Sequence, residues 1–269
     1  MFRILAHIGP LTIYAYGAML AAAFICGTVL AVRRAAKEGI AAEKIVDLVF
    51  VILVASLAGA RLLFVALNWD YYRANLLDIL KLWEGGLVFY GGLLSAMAAA
   101  LWYLKKNRLP VYKILDIIAP SAALGIFFGR LGCFLNGCCY GRISPAFGVS
   151  FPSRGNPPVF DEQVMAGLIL PSASCSLPVI PTQLYDAAAG LLIMAILLRL
   201  ERYKKFEGAV FWLFVFFYAA SRFITEIFRS YQSNFMFSCI TVSQLISIIL
   251  FCISGSMLVT GYRKGSKHA

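Results

Sequence analysis

The chain has 269 residues, of which 61% are hydrophobic and 14% charged, and its mean hydropathy is +0.81. Soluble domains run nearer 45–50% apolar and about 25% charged, so the composition excludes an ordinary soluble enzyme and indicates an integral membrane protein. The net charge of +11 first suggests a nucleic-acid partner, but its distribution along the chain argues for membrane topology instead.

A spanning helix needs about 20 mostly apolar residues. Seven stretches meet that demand, at 11–32, 45–67, 87–104, 112–135, 183–200, 209–228 and 241–262. The first resembles a signal peptide, yet its apolar core is long and its basic cluster follows that core, so it reads as a retained span. Between the fourth and fifth spans lies a polar insertion, 136–182, rich in Pro, Ser and Gly. The expected fold is therefore an all-α integral membrane protein, one domain over 1–269, with seven transmembrane helices in a single bundle and 136–182 as a small extracytoplasmic cap.

The loop cations set the orientation. One alternate set carries fifteen, in the groups Arg33–Lys44, Lys105–Lys113, Arg199–Lys205 and Arg263–Lys267, and the opposite set carries six. The positive-inside rule then expects the N-terminus outside and the C-terminus in the cytoplasm. Under that topology Arg61, Arg130 and Arg222 lie toward the outer half of three spans, with Tyr14, Tyr16, Tyr90 and Gln183 at similar depth. A charge within a membrane costs at least about 2.5–3.5 kcal/mol on insertion scales and usually faces a partner or a cavity. Snorkelling to headgroups explains any one of the arginines. Three together favour a convergent anion site facing the outer leaflet.

In the sixth span Tyr218, Arg222, Glu226 and Arg229 recur at four, four and three residues, along one helical face. Glu226 can pair with either arginine, as an ion-pair lock, a support for anion binding, or both. Gly85, Gly86, Gly91, Gly92, Gly129, Gly132, Gly137 and Gly141 gather near the same level, where glycine permits close helix approach and irregular turns.

"GRLGCFLNGCCYGR", residues 129–142, brings Cys133, Cys138 and Cys139 to the end of the fourth span. Their C-x4-C-C spacing is not the usual zinc pattern, and the two histidines, His7 and His268, are terminal. A thiol relay prefers C-x-x-C, which is absent. The cysteines are read as a wall of the arginine site, and no metal or cofactor is expected. Cys26 and Cys252 are read as packing residues and Cys175 as a disulfide candidate.

Together these residues resemble prolipoprotein diacylglyceryl transferases, bacterial inner-membrane enzymes. The likeness rests on "YAYG" (14–17), "GAR" (59–61), "WEGGLVFYGGL" (83–93), "DIIAP" (116–120), "GRLGCFLNG" (129–137), "PTQLYD" (181–186) and "SRFITEIFR" (221–229), in the family's order. The resemblance implies seven spans with the N-terminus outside and an active site facing the outer leaflet. It implies transfer of the diacylglyceryl group of phosphatidylglycerol to the lipobox cysteine of a preprolipoprotein signal peptide, giving a thioether and glycerol 1-phosphate. The implied partners are that lipid, that signal peptide and the surrounding membrane lipids, with no nucleic acid. Arg130 and Arg222 would hold the phosphate, with Tyr16, Asn136 and Glu226 completing the pocket. Arg61, Gly91, Gly92, Cys133, Gly137, Gly141, Gln183 and Tyr185 would line it. Many members carry His at the position of Tyr90, Asn at Cys133 and Glu at Cys138. In this chain Tyr90, a carboxylate, or the arginine field takes over thiol activation.

Within the family, the alternative is a divergent member that uses another acceptor nucleophile. Two other classes compete, a transporter or flippase for an anionic lipid or small anion, and a purely structural subunit. A transporter needs polar positions along a path to both faces. Apart from Asp116 and its lysine-rich flank, the inner halves of the spans are nearly bare, which favours the enzyme.

Overall fold

The computed structural model describes residues 3–8, 11–81, 85–229, 235–237 and 240–265. Trp83, Glu84, Lys267 and His268, which figure in the sequence reading, lie outside these. Among the described residues the chain is helical apart from two short hairpins, the connections between helices, and the longer irregular 137–157 and 166–181 segments.

Six helices are long and apolar enough to cross a membrane. They are α1 (Ala15–Lys37), α2 (Ala42–Leu67), α5 (Val111–Asn136), α7 (Thr182–Leu200), α8 (Ala209–Glu226) and α9 (Val242–Gly265). The stretch expected as a third span is also helical, α4 (Phe89–Lys106), but it has only 18 residues and ends on Lys105 and Lys106. Only 11–39% of the most apolar window of each of the six is buried inside the protein. Helices so apolar and so little covered need hydrocarbon around them, which makes the chain a multi-pass membrane protein.

The first helix starts later than expected. Leu11–Tyr14 forms β2, antiparallel to β1 (Ile4–Ile8), before α1 begins at Ala15. The β-branched pair Thr12–Ile13 suits a strand better than a first helical turn. A second hairpin, β3 (Phe235–Phe237) with β4 (Ile240–Thr241), precedes α9.

The chain forms two compact units, residues 31–114 and residues 1–30 with 115–269. In the first, α2 packs along α4 through small residues. A side chain on Gly91 would strike the Gly59 carbonyl, and one on Gly92 would come within 3.0 Å of the Ser56 carbonyl. Gly91 and Gly92 are both buried there and bring two backbones together. Lys44 Nζ donates to Asn107 Oδ1 at 2.8 Å and Lys113 pairs with Glu38 at 3.1 Å, tying the polar ends of this unit.

Arg61 departs from its expected anion-binding role. Its guanidinium donates to the carbonyls of Ile79 (2.9 Å), Gly85 (2.7 Å), Gly86 (3.3 Å), Asp78 (2.5 Å) and Lys81 (3.2 Å). Five N–H donors meet five carbonyls, and the rings of Tyr72 and Phe64 cover the plane at 5.3 and 5.8 Å. Arg61 folds the segment after α3 (Trp69–Tyr72) and the 3₁₀ turn Leu76–Leu80 back onto α2.

In the other unit α5, α7 and α8 share a core of Ala119, Ala123, Ile193, Leu197 and Val210. α8 lies beside both α7 and α9. The entry to α8 is held by Asp116 of α5, 1% exposed, whose carboxylate accepts from the N–H groups of Gly208 (2.8 Å) and Phe211 (2.9 Å). An anion at a helix N-terminus meets both the free amides and the positive end of the dipole. Within residues 137–181, α6 (Pro158–Met165) and the irregular chain around it pack on Phe151, Val159 and Val179, with Phe134 of α5 against them. Among the described residues Cys175 in this segment has no disulfide partner.

Asp116→Ala is expected to lower the thermal unfolding midpoint of the detergent-solubilised protein markedly, because each stranded buried N–H costs about 1–3 kcal/mol. Asp116→Asn, which keeps one acceptor oxygen, should fall between the variant and the parent in the same scan.

Candidate active site

Two arginines from different helices meet in one small cleft. Arg130, one turn and a half from the end of α5, and Arg222 of α8 line it with Asp186, Gly190, Tyr218 and Ser221. Each arginine has its own carboxylate. Arg130 Nε lies 3.2 Å from Asp186 Oδ2 of α7, and Arg222 Nη2 lies 2.6 Å from Glu226 Oε2 one turn along α8. Glu226 is 3% exposed; its other oxygen accepts from Thr241 Oγ1 at 3.1 Å, and Arg229 Nη1 stands 4.0 Å from Oε2. Ser243 Oγ is 3.5 Å from Arg222 Nη2.

These pairings leave capacity. Arg222 Nη1 and Gln183 Oε1 are buried with no hydrogen-bond partner among the described residues. Buried polar atoms are rarely left unpaired, and a guanidinium with a free N–H beside a second arginine is suited to an oxyanion. The helical face Tyr218–Arg222–Glu226–Arg229 thus provides both the ion-pair lock and a donor.

The turn after α5 is built by its glycine. Gly137 adopts φ 74° and its N–H bonds the Phe134 carbonyl at 3.2 Å, while the Cys138 N–H reaches the Cys133 carbonyl at 3.1 Å. This is a Schellman closure, with glycine at the left-handed position. Cys139 follows at φ 60°. Side chains at the start of α7 fix both carbonyls: Gln183 Nε2 donates to Cys138 O at 2.7 Å and Thr182 Oγ1 to Cys139 O at 3.0 Å. The three sulfur atoms of Cys133, Cys138 and Cys139 consequently lie within 4.8 Å of one another. The C-x4-C-C spacing seemed unfit for such a group; the six-to-one closure supplies it. The Cys139 thiol is held well below the ordinary thiol range, mainly by hydrogen bonds from the other two thiols, with Arg229 and Arg130 adding to the effect.

The remaining expected residues fall as follows. Tyr16, on the first turn of α1, packs against α5 at Gly132 and lies within electrostatic reach of Arg130 and the three cysteines. Asn136 ends α5, two residues before Cys138. Gly141 lets its N–H reach the Ile180 carbonyl at 2.8 Å, where a side chain would strike the Phe228 carbonyl. Tyr185 is partly exposed and meets the Phe228 ring edge-on at 6.1 Å. Tyr90 is 68% exposed in the 31–114 unit. Sequence reasoning quoted "PTQLYD" without giving Asp186 a role; its carboxylate three residues after Gln183, one helical turn on, was the available signal.

A larger cavity of about 610 Å³ opens beside the turn, lined by Cys139, Tyr140, Gly141, Glu162, Gln163 and Arg229 among others. Tyr140 donates to Glu162 there, and burial followed by that bond pushes the Tyr140 phenol above its usual range.

The architecture and site define a multi-pass membrane protein with a two-arginine cleft backed by buried carboxylates. The family model for prolipoprotein diacylglyceryl transferase matches residues 3–260, and the chain belongs to that family. Among similar proteins is the phosphatidylglycerol–prolipoprotein diacylglyceryl transferase of Lactiplantibacillus plantarum, 32% identical and covering 94% of this chain and 86% of its own. Proteins of the same name from Geobacter sulfurreducens (30% identical, 96% of this chain and 94% of theirs) and Acinetobacter baumannii (32%, 96% and 92%) are similar to the same extent.

Gly137→Ala is expected to destabilise the protein. It forces a left-handed residue to carry a Cβ, which would sit 2.7 Å from Pro157 Cβ. Gly129→Ala, whose added carbon meets nothing within 4 Å, is the control and should leave the unfolding midpoint near that of the parent.

Proposed function

We propose that this chain transfers the diacylglyceryl group of phosphatidylglycerol to the lipobox cysteine thiol of preprolipoproteins. The carrying observation is the cleft shared by Arg130 and Arg222, with Arg222 Nη1 buried and unpaired. The thiolate attacks the glyceryl carbon, the carbon–oxygen bond to phosphate breaks, and the electron pair leaves on the phosphate oxygen of glycerol 1-phosphate. The two guanidinium groups bind the phosphodiester and take up the negative charge that grows on it, without reorganising, because Asp186 and Glu226 already fix them. Asn136, Gln183 and Tyr16 supply polar contacts around the head group, and Gly137 and Gly141 shape the backbone beside it.

The chain has seven spans in this reading, α4 being the third, with the N-terminus outside. The fifteen-to-six division of loop cations supports that orientation. Residues 136–182 then face the extracytoplasmic side of the bacterial inner membrane, and the arginine cleft opens to the outer leaflet, where exported signal peptides present their cysteine.

Purified protein incubated with phosphatidylglycerol and a synthetic lipobox peptide should add one diacylglyceryl unit to the cysteine, seen by mass spectrometry, and none to a peptide with serine at that position. An unmodified cysteine peptide under conditions where a characterised relative is active would refute the assignment.

Arg222→Lys and Arg130→Lys should each lower kcat/KM by about 10- to 100-fold although charge is kept, because an ammonium lacks the planar two-donor fork. Asp186→Asn should act in the same direction through a mobile Arg130, chiefly on kcat, with Asp186→Glu recovering part of the loss. Equal kinetics for all of these variants and the parent would mean that bulk positive potential suffices.

A further inference from the structure

Phosphate binding leaves three features without a use: the trio of thiols, the cavity beside them, and the means of activating the incoming thiol. The sequence contains two histidines, His7 and His268, and neither falls in the 129–142 stretch or in "PTQLYD". Resting on the transferase reading above, we propose that Cys133, Cys138 and Cys139 form a tris-thiolate site for a soft divalent cation of the zinc class. Its fourth coordination position receives the acceptor thiol.

The geometry is that of a prepared ligand set. A zinc–sulfur bond of about 2.3 Å puts the sulfurs of a tetrahedral site about 3.8 Å apart. Here all three lie within 4.8 Å of one another, so small rotations about χ1 reach the bound arrangement. The backbone is already fixed. The closure at Gly137 places Cys138 over Cys133, and Gln183 and Thr182 hold the next two carbonyls. Little ordering remains to be done on binding.

Charge is partly compensated. Three thiolates and a divalent cation carry a net charge of −1, and a fourth thiolate makes it −2. Arg130, one turn before Cys133, and Arg229, paired backbone to backbone with Gly141, stand beside the cluster; together with Arg222 they exceed their carboxylate partners, Asp186 and Glu226, by one positive charge. Binding exchanges three S–H bonds for three S–metal bonds and releases three protons to solvent; the acceptor adds a fourth bond and a fourth proton. No oxidant or reductant is needed.

Three protein ligands and an open position are the pattern of a reactive rather than a closed zinc site. Cys139 is exposed and lines the 610 Å³ cavity with Arg229, Glu162 and Tyr140, so an extended peptide has room on that side. A metal-bound thiol is deprotonated at neutral pH, which gives the nucleophile that the transfer requires.

The test uses the full-length protein in detergent, reduced with a phosphine and stripped of metal. Titration with Cd²⁺ should saturate at one tightly bound ion per chain with sulfur-to-metal charge-transfer absorption. Cys133→Ser, Cys138→Ser and Cys139→Ser should each lose that saturation while keeping the parent's unfolding profile; Cys26→Ser and Cys252→Ser should retain it. Protein loaded with Co²⁺ should then shift its visible bands on addition of the lipobox peptide and not of its serine analogue. Absence of saturable cadmium binding in protein whose three thiols all titrate as free overturns the site, as does a disulfide among them in the unreduced protein. Metal binding without a cysteine-dependent shift overturns the acceptor position. The cadmium step involves no lipid or turnover, so its failure with intact transfer rejects the metal site alone, and its success without transfer rejects the transferase reading.

Discussion

A guanidinium surrounded by apolar helices is tolerable only with its charge answered locally, and two such answers organise this protein. Arg222 leans on Glu226 at 2.6 Å and Arg130 on Asp186 at 3.2 Å. The second pair joins α5 to α7, and the first, through Thr241, ties α8 to the start of α9. Breaking one member of a buried pair strands the other, which costs about 3–5 kcal/mol. The pairs therefore hold helices together and also fix guanidinium planes in one orientation. Position and charge are set before any lipid arrives, which is the condition under which an electrostatic site stabilises a developing anion best.

Arginine alone does not say which role it will play. Arg61 has the same chemistry as Arg222, and sequence depth put them together. Arg61 spends its five donors on the carbonyls of a folded-back segment, whereas Arg222 keeps a buried N–H without a partner. The difference lies in the carbonyls of residues 78, 79, 81, 85 and 86, which converge on one guanidinium. Such convergence is a tertiary property with no periodicity to reveal it.

Other features were plain in the sequence. Hydropathy locates the long helices to within a few residues, except where strand pairing at Leu11–Tyr14 shortens α1 and where lysines dilute α4. The spacing of Arg222, Glu226 and Arg229 gives the ion-pair face directly, because helical geometry is local. The thiol group was hidden for the opposite reason. Linear spacing describes ligands on a regular element, and Cys133 and Cys138 are joined by a helix ending whose reversal brings residue six back over residue one. Gly137 was noticed as permissive backbone, but the consequence for two side chains five positions apart needed the turn itself.

The capping of α8 by Asp116 has a consequence for assembly. The carboxylate and the two amides it holds are 92 and 95 residues apart in the chain. During synthesis α5 enters the bilayer with an acidic group whose counterparts have not yet left the ribosome. That carboxylate gains the two helix-entry amides only once α8 has been made. The contact that anchors the start of α8 on α5 is therefore one that forms late, after the intervening chain has been synthesised.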